Sequence, residues 1–345
     1  MKQIQSTGND NTNYQAQNMH FNGITYSDAK QIALDVFRNN ALELSEIAHT
    51  TARERAEELT ENFFKELSER APEAIGSISD PDMQRSIFHA QEEYACSGDG
   101  DLGAVLVDML VDRAAITERN IQQVTLNESI KTAARLTKNH FTILSALLFA
   151  TKTQFNNVRN LDELYGNYID FVAPSVAGLR VTDADLWHLQ YTGCISMEIT
   201  DMPMGGMLAQ AYPALFSNGF SRDEIAEEQK DLGLPSIIPC LRDPAKFQVG
   251  AMNSKVLQSH ITSQPGMEGH GSELQRLLNL NLMSAEEIDA EFSEIHPDLK
   301  NLTSVWNGSN LRRCQLTGVG IAVGHANARR ILGDKFDARL EIWIN

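Results

Sequence analysis

Residues 27–72 read SDAKQIALDVFRNNALELSEIAHTTARERAEELTENFFKELSERAP. Within them Ala29, Ile32, Ala33, Val36, Phe37, Ala41, Leu44, Ala48, Ala52, Ala56, Leu59, Phe63 and Leu67 recur at intervals of three and four, which places them on one face of an α-helix. Ser27 stands where an N-cap is expected and Ala71-Pro72 where the helix must stop. An unbroken helix over this span would be roughly 65 Å long at 1.5 Å per residue, longer than ordinary globular helices. The pattern therefore predicts a coiled coil or a break near His49-Thr50-Thr51. Alanine at many stripe positions permits close helix approach, so the stripe serves either an intermolecular stalk or packing within its own domain.

Ahead of this helix, residues 3–22 are dense in Asn and Gln and almost free of charge. Tyr14 and Ala16 alternate with polar residues, as do Met19 and Phe21, with a register shift at Gln17-Asn18. That pattern predicts two short strands meeting at a bend, with Asn22-Gly23 as the stop. Two such strands bury too little to stand alone, so the segment either stays disordered or pairs with another strand. Asn and Gln side chains ladder between identical strands, which makes a second copy of the chain a natural partner. Tyr14, Ala16, Met19, Phe21, Ile32, Val36 and Phe37 are the candidate self-association residues.

Working toward the C-terminus, Asp80-Pro81 is a helix start with Asp as cap and Pro at the first helical position. The turn Ser97–Asp101 leads into a second helix, with Asp101 expected as its cap. Its Asp-x-Asp lacks the Glu that a calcium loop places at its twelfth position, where Leu110 stands. Leu136-Thr137 and Val181-Thr182 each combine a cap with an apolar staple, against Phe141 and Leu186. With a helical segment over 161–172 and a β-branched run over 194–199, the order is helix, helix, helix, strand, the outline of a winged helix. The third helix, Thr182–His188, holds Asp183 and Asp185 and no Lys or Arg, so it reads as a protein contact or structural unit rather than a DNA reader. Ser221-x-x-Glu224 and Ser284-x-x-Glu287 are capping boxes that predict helices over 221–232 and 284–295. The chain is expected to close with a helix through Arg330 and a strand over Leu340–Ile344.

The predicted class is thus mainly α (α+β), organised as a polar β-strand tag over 1–26, a long amphipathic helix over 27–72, a helical and winged-helix-like domain over 80–200, and a mixed α/β domain over 201–345. Lys and Arg number 29 against 46 Asp and Glu, giving a net charge of −17. So acidic a surface argues against nucleic acid and anionic lipid. Four cysteines without a CxxC pair point to reduced thiols in a cytoplasm. The longest apolar run, Ile143–Ala150, is far shorter than the roughly 20 residues of a membrane span.

The chemistry-bearing motifs are sparse. The nine histidines form no His-x-x-x-His pair, the glycines over 266–271 fit neither dinucleotide nor P-loop spacing, and no nucleophile elbow occurs. No cofactor and no metal site are expected. Of the scattered groups, His260, His270 and Glu268 are the candidates for an active site assembled in space. Arg312, Arg313, Arg329 and Arg330 are the candidates for anion contact.

The stretch Gly8-Asn9-Asp10-Asn11-Thr12-Asn13-Tyr14-Gln15-Ala16-Gln17-Asn18-Met19-His20-Phe21 resembles the "GNNSTNIQAGRDINI" type of tag carried by assorted bacterial conflict-system proteins, with Gln17 where a glycine and Asn18 where an arginine are usual. Residues 80–199, with Ala90–Ala95 and Leu106–Arg113, resemble a bacterial family distantly similar to the Abi-alpha group of abortive-infection proteins. The resemblance implies a part in phage defence and brings no catalytic residues with it. The resulting expectation is a non-catalytic, self-associating sensor or scaffold, with a phage or host protein as a further partner. An enzymatic toxin with its site in the C-terminal third is the alternative, and a winged-helix transcription regulator a weaker one.

Overall fold

The computed structural model describes residues 20–21, 24–40, 46–156, 158–199, 201–225, 236–264 and 267–344. Tyr14, Ala16 and Met19 lie outside the described residues. The described residues are mainly helical, with three short two-stranded sheets. None of their helices is long and apolar enough to cross a membrane. The chain divides into two compact units, 1–134 and 135–345, so the boundary falls inside the 80–200 stretch expected as one domain.

In unit 1, β1 (His20–Phe21) and β2 (Ile24–Thr25) pair antiparallel with Phe21 opposite Ile24. Asn22-Gly23, expected as the stop, lie outside the described residues. Helix α1 (Tyr26–Asn40) starts earlier than Ser27 predicts. Its cap is Thr25, whose Oγ1 accepts from the Asp28 N–H at 3.0 Å while Asp28 accepts from the Thr25 N–H at 3.2 Å, a reciprocal box.

The long stripe is not one rod. Helix α2 (Glu46–Arg70) follows, running straight through His49-Thr50-Thr51, so the expected break there does not occur. The two helices are antiparallel. Tyr26 meets Phe64 edge-on at 5.4 Å, Lys30 pairs with Glu61 at 2.9 Å and Arg38 with Glu57 at 3.7 Å, the partner number falling as the α1 number rises. Ala29, Ala33 and Phe37 of α1 and Ala52, Ala56, Leu59, Phe63 and Leu67 of α2 are buried, so these stripe positions pack within the chain; Ala41 and Leu44 lie outside the described residues.

Helices α3 (Pro81–Ser97), α4 (Gly100–Ala114) and α5 (Ile121–Ala133) complete the unit. Asp80 caps α3 as expected. Asp99, not Asp101, caps α4, accepting from the N–H groups of Asp101 and Leu102. Gln91, fully buried on α3, donates to Thr60 Oγ1 at 2.8 Å and to the Ala33 carbonyl at 3.3 Å, fixing α3 to α2 and α1. Asp108 and Asp112 share the guanidinium of Arg70, at 2.6 and 3.0 Å.

Unit 2 opens with α6 (Lys138–Leu147), which widens into a π-helical turn at Leu148–Lys152, and α7 (Leu161–Asn167), which continues through a second at Tyr168–Val172 into the short α8 (Ala173–Ser175). Helix α9 (Asp183–Tyr191) and β3 (Ile195–Met197) follow. The expected order of three helices and a strand is present. The partner of β3, however, is β6 (Cys314–Leu316), paired antiparallel with Ile195 opposite Leu316, and not the strand of an adjoining hairpin.

Helix α10 (Met204–Ala211) is fixed at its start by side chains from far along the chain: Asp289 accepts from the Gly205 N–H at 2.7 Å and Asn307 from the Met204 N–H at 3.0 Å. Strands β4 (Ile237–Pro239) and β5 (Phe247–Val249) form a hairpin against α11 (Ser254–Ser263) and α12 (Gly271–Leu278), burying Phe220, Val249, Leu257, Leu274 and Leu277. Helices α13 (Ala285–Ser293) and α14 (Pro297–Gly308) lead to β6 and α15 (Gly318–Leu332), which packs on α6.

The capping box at Ser284 begins α13 as predicted. The one at Ser221 is also formed, but on a 3₁₀ turn, Arg222–Glu224; residues 226–232 of the helix expected over 221–232 lie outside the described residues. The expected strand at Leu340–Ile344 is a 3₁₀ turn over Leu340–Ile342. Leu340 and Ile344 are buried and Ile342 is exposed, a period of four, and Trp343 Nε1 donates to the Lys152 carbonyl at 2.8 Å. Side-chain demand for one buried face overrides the strand propensity of Ile and Trp.

Candidate functional site

The capping boxes of α6 and α9 meet. Thr137 caps α6, and His140 at the third helical position accepts at Nδ1 from the Thr137 N–H, 3.1 Å away. Thr182 caps α9, and Asp185 at the equivalent position accepts from the Thr182 N–H at 2.9 Å and Oγ1 at 2.6 Å. With Nδ1 engaged as an acceptor, the ring proton of His140 is on Nε2, which faces Asp185 Oδ1 at 3.4 Å. One turn along α9, the His188 ring stacks on His140 with centroids 5.0 Å apart, and its Nε2 donates to the Arg135 carbonyl at 2.8 Å.

Burial of His140 pushes its pKa below the ordinary value; the Asp185 carboxylate works against that shift and the neighbouring His188 adds to it. Burial would raise Asp185, but its bonds from Thr182 and the adjacent His140 hold the carboxyl below its ordinary value. The imidazole and carboxylate are therefore a neutral donor and an anion, fixed in two helix caps. Their chemistry is that of a joint between α6 and α9.

A pH dependence follows. A histidine with a depressed folded-state pKa contributes stability that is complete above its unfolded pKa of about 6.5 and is lost as pH falls below it, because the unfolded chain binds the proton more tightly. His140→Gln keeps a side chain suited to the capping box but cannot titrate. Between about pH 7 and pH 5 the midpoint of urea unfolding of the natural chain should fall more steeply than that of His140→Gln. Equal slopes would remove His140 from the account.

The outer side of α9 differs in kind. Trp187 and Tyr191, four residues apart on one face, are 65 % and 77 % exposed. The Arg135 guanidinium lies over the Tyr191 ring at 5.1 Å, a cation–π contact. Large aromatic side chains exposed side by side mark binding surfaces, where they bury much area at little entropic cost.

The residues singled out from the sequence are placed elsewhere. Phe37 is buried against Ala52, Ala56 and Ala95 of unit 1, and Ile32 and Val36 are half-buried, so Phe37 serves the intramolecular core rather than a free stalk face. Arg312 and Arg313 converge on one carboxylate, Asp201, at 3.3 and 3.2 Å. Arg329 donates to the Ala338 carbonyl and Arg330 to Asn327 Oδ1. His260 is exposed on α11, and His270 is half-buried in the 3₁₀ turn Glu268–His270 that leads into α12. His140, Arg135, Trp187 and Tyr191 were not singled out. The signals present were Thr-x-x-His at 137–140, Thr-x-x-Asp at 182–185, and two aromatics at helical spacing opposite Leu186 and Leu189.

A mainly helical chain with short paired strands and an aromatic helix face is what the fold and site define. Residues 23–344 match a protein-family model described as ":-like", and the chain belongs to that family; the match begins immediately after the Asn- and Gln-rich segment. No curated protein and no solved structure matches the chain.

Proposed function

We propose that the chain is a non-catalytic, self-associating cytoplasmic protein that acts as a sensor or scaffold in bacterial antiviral defence of the abortive-infection kind. The observation that carries the binding role is the outer face of α9, where Trp187 and Tyr191 stand exposed beside a His140–Asp185 contact whose two side chains are each held in a helix cap through their other polar atom, Nδ1 and Oδ2. The polar N-terminal segment supports self-association, and the defence setting comes from the resemblance of that segment and of residues 80–199 to bacterial conflict-system proteins.

The test is the solution mass, by light scattering, of the full chain beside one beginning at His20. That start keeps β1, β2 and the Thr25 cap, which a start at Ser27 would remove from unit 1. The expected result is a defined oligomer for the full chain. Loss of the oligomer in the shorter chain assigns assembly to residues 1–19, and its persistence assigns it to the folded units. Monomers in both cases, at high concentration, sink the self-association.

A further inference from the structure

Leu186 and Leu189 face the interior of unit 2, while Asp183, Ala184, Trp187, Gln190 and Tyr191 are exposed. At 3.6 residues per turn, Trp187 is the centre of this face, with Asp183 and Ala184 a turn before it and Gln190 and Tyr191 a turn after. Charge is ordered along it. The N-terminal end carries the exposed Asp183, whose Oδ1 accepts from Asn310 Nδ2 at 3.0 Å. The C-terminal end carries the Arg135 guanidinium on Tyr191, and among the described residues no carboxylate forms an ion pair with it.

Taking this face as a binding surface, the reading on which the inference rests, we infer that its partner is a second copy of the same chain, docked α9 against α9 in antiparallel orientation. A two-fold axis through Trp187 makes the contact isologous. It brings the two Trp187 side chains together, sets Ala184 of each copy opposite Gln190 of the other, and sets each Asp183 against the Arg135–Tyr191 pair of the other. A face that is acidic at one end and cationic at the other is complementary to itself in this orientation; parallel docking sets Asp183 against Asp183. The net charge of −17 disfavours an anionic nucleic acid or lipid as the occupant.

The experiment uses the full chain with Cys96→Ser, which removes the exposed cysteine. Ala184→Cys copies are mixed with Gln190→Cys copies under mild oxidation, and disulfide-linked pairs are identified by mass spectrometry. The 184–190 link is expected to exceed the 184–184 link about tenfold. Arg135→Glu in both sets of copies should lower it by about the same factor, and combining Arg135→Glu in one set with Asp183→Arg in the other should restore it, because the reversed charges then face each other. Trp187→Ala, at an exposed position, should lower the link with an unchanged melting temperature, which keeps the test valid if a charge variant folds poorly. Absence of the 184–190 link in a chain that light scattering finds oligomeric overturns this docking and leaves association through residues 1–19 standing. Predominance of the 184–184 link overturns the antiparallel orientation.

Discussion

Arg113→Ala is expected to destabilise unit 1 by ~2–4 kcal/mol, because truncating so deeply buried a side chain leaves a cavity and strips hydrogen bonds from the groups it joins. Arg113 is 1 % exposed on α4. Its Nε donates to Asn127 Oδ1 at 2.8 Å, its Nη2 to Asp82 Oδ2 at 2.8 Å and its Nη1 to the Ile116 carbonyl at 3.3 Å. Gln123, with its amide turned to satisfy both ends, presents its oxygen to the two terminal nitrogens at 3.1 and 3.2 Å. Asn127 closes the ring by donating to Asp82 Oδ2 at 2.7 Å. One guanidinium thus holds the start of α3, the end of α4 and the body of α5.

Lysine is not a substitute, because a single ammonium cannot reach partners that the planar fork serves in several directions. Arg113→Lys should recover less than half of the loss. Asp82→Asn should cost less than Arg113→Ala, since asparagine keeps an acceptor oxygen for the guanidinium and the Asp80 carboxylate remains 3.9 Å from its Nη2. The network also has a pH signature: hydrogen bonds from Arg113 and Asn127 hold the Asp82 carboxyl below its ordinary value of 3.8. Its contribution is complete above that value and lost as pH falls through the lower, folded-state pKa. Amide hydrogen exchange in α3, α4 and α5 is the measurement, because Trp187, Trp306 and Trp343 all lie in unit 2 and tryptophan fluorescence does not report on unit 1. Unchanged protection in Arg113→Ala would show that the network is replaceable by water.

The parts of this fold legible in the sequence are those set by residues three or four apart. The caps at Asp80, Thr137, Thr182 and Ser284 need a short polar side chain and an orphan N–H within one turn, and each is where its spacing places it. The α1–α2 stripe was equally legible, but an apolar face has the same spacing whether its partner is another molecule or the same chain folded back, and only the Lys30–Glu61 and Tyr26–Phe64 contacts decide between them. Pairings distant in sequence left no local trace: β3 with β6, Arg113 with Asp82, Asp289 with the start of α10. At the candidate site, Thr137 and Thr182 were readable as caps. The meeting of His140 with Asp185 was not, because it depends on where two helix starts lie in space. Trp187 and Tyr191 carry the residue types of a core, and exposure alone marks them as surface.

Gly320→Ala is expected to destabilise unit 2 by about 2–3 kcal/mol or more, while Gly166→Ala should stabilise it by about 0.5–1 kcal/mol. Both glycines sit in helices, so propensity favours alanine at each. Their surroundings reverse the sign. A Cβ on Gly166 meets nothing within 4 Å, whereas one on Gly320 collides with the Cys194 backbone carbonyl, and one on Gly324 comes within 2.8 Å of the Leu144 carbonyl oxygen. Backbone on both sides leaves no flexible side chain to give way. The close approach at Gly320 lets Thr317, the cap of α15, donate toward the Gly193 and Cys194 carbonyls at 2.6 and 3.0 Å and seats β6 beside β3. Cys194 in turn closes the end of α9, its N–H donating to the Leu189 carbonyl at 2.9 Å. A collision at Gly320 is therefore passed to the turn that carries Tyr191, and Gly320→Ala should weaken the 184–190 cross-link as well as lower the unfolding midpoint followed by tryptophan fluorescence. Gly166→Ala, raising that midpoint, should leave the cross-link unchanged; equal effects of the two substitutions on stability would mean that α15 moves away from Cys194 at little cost.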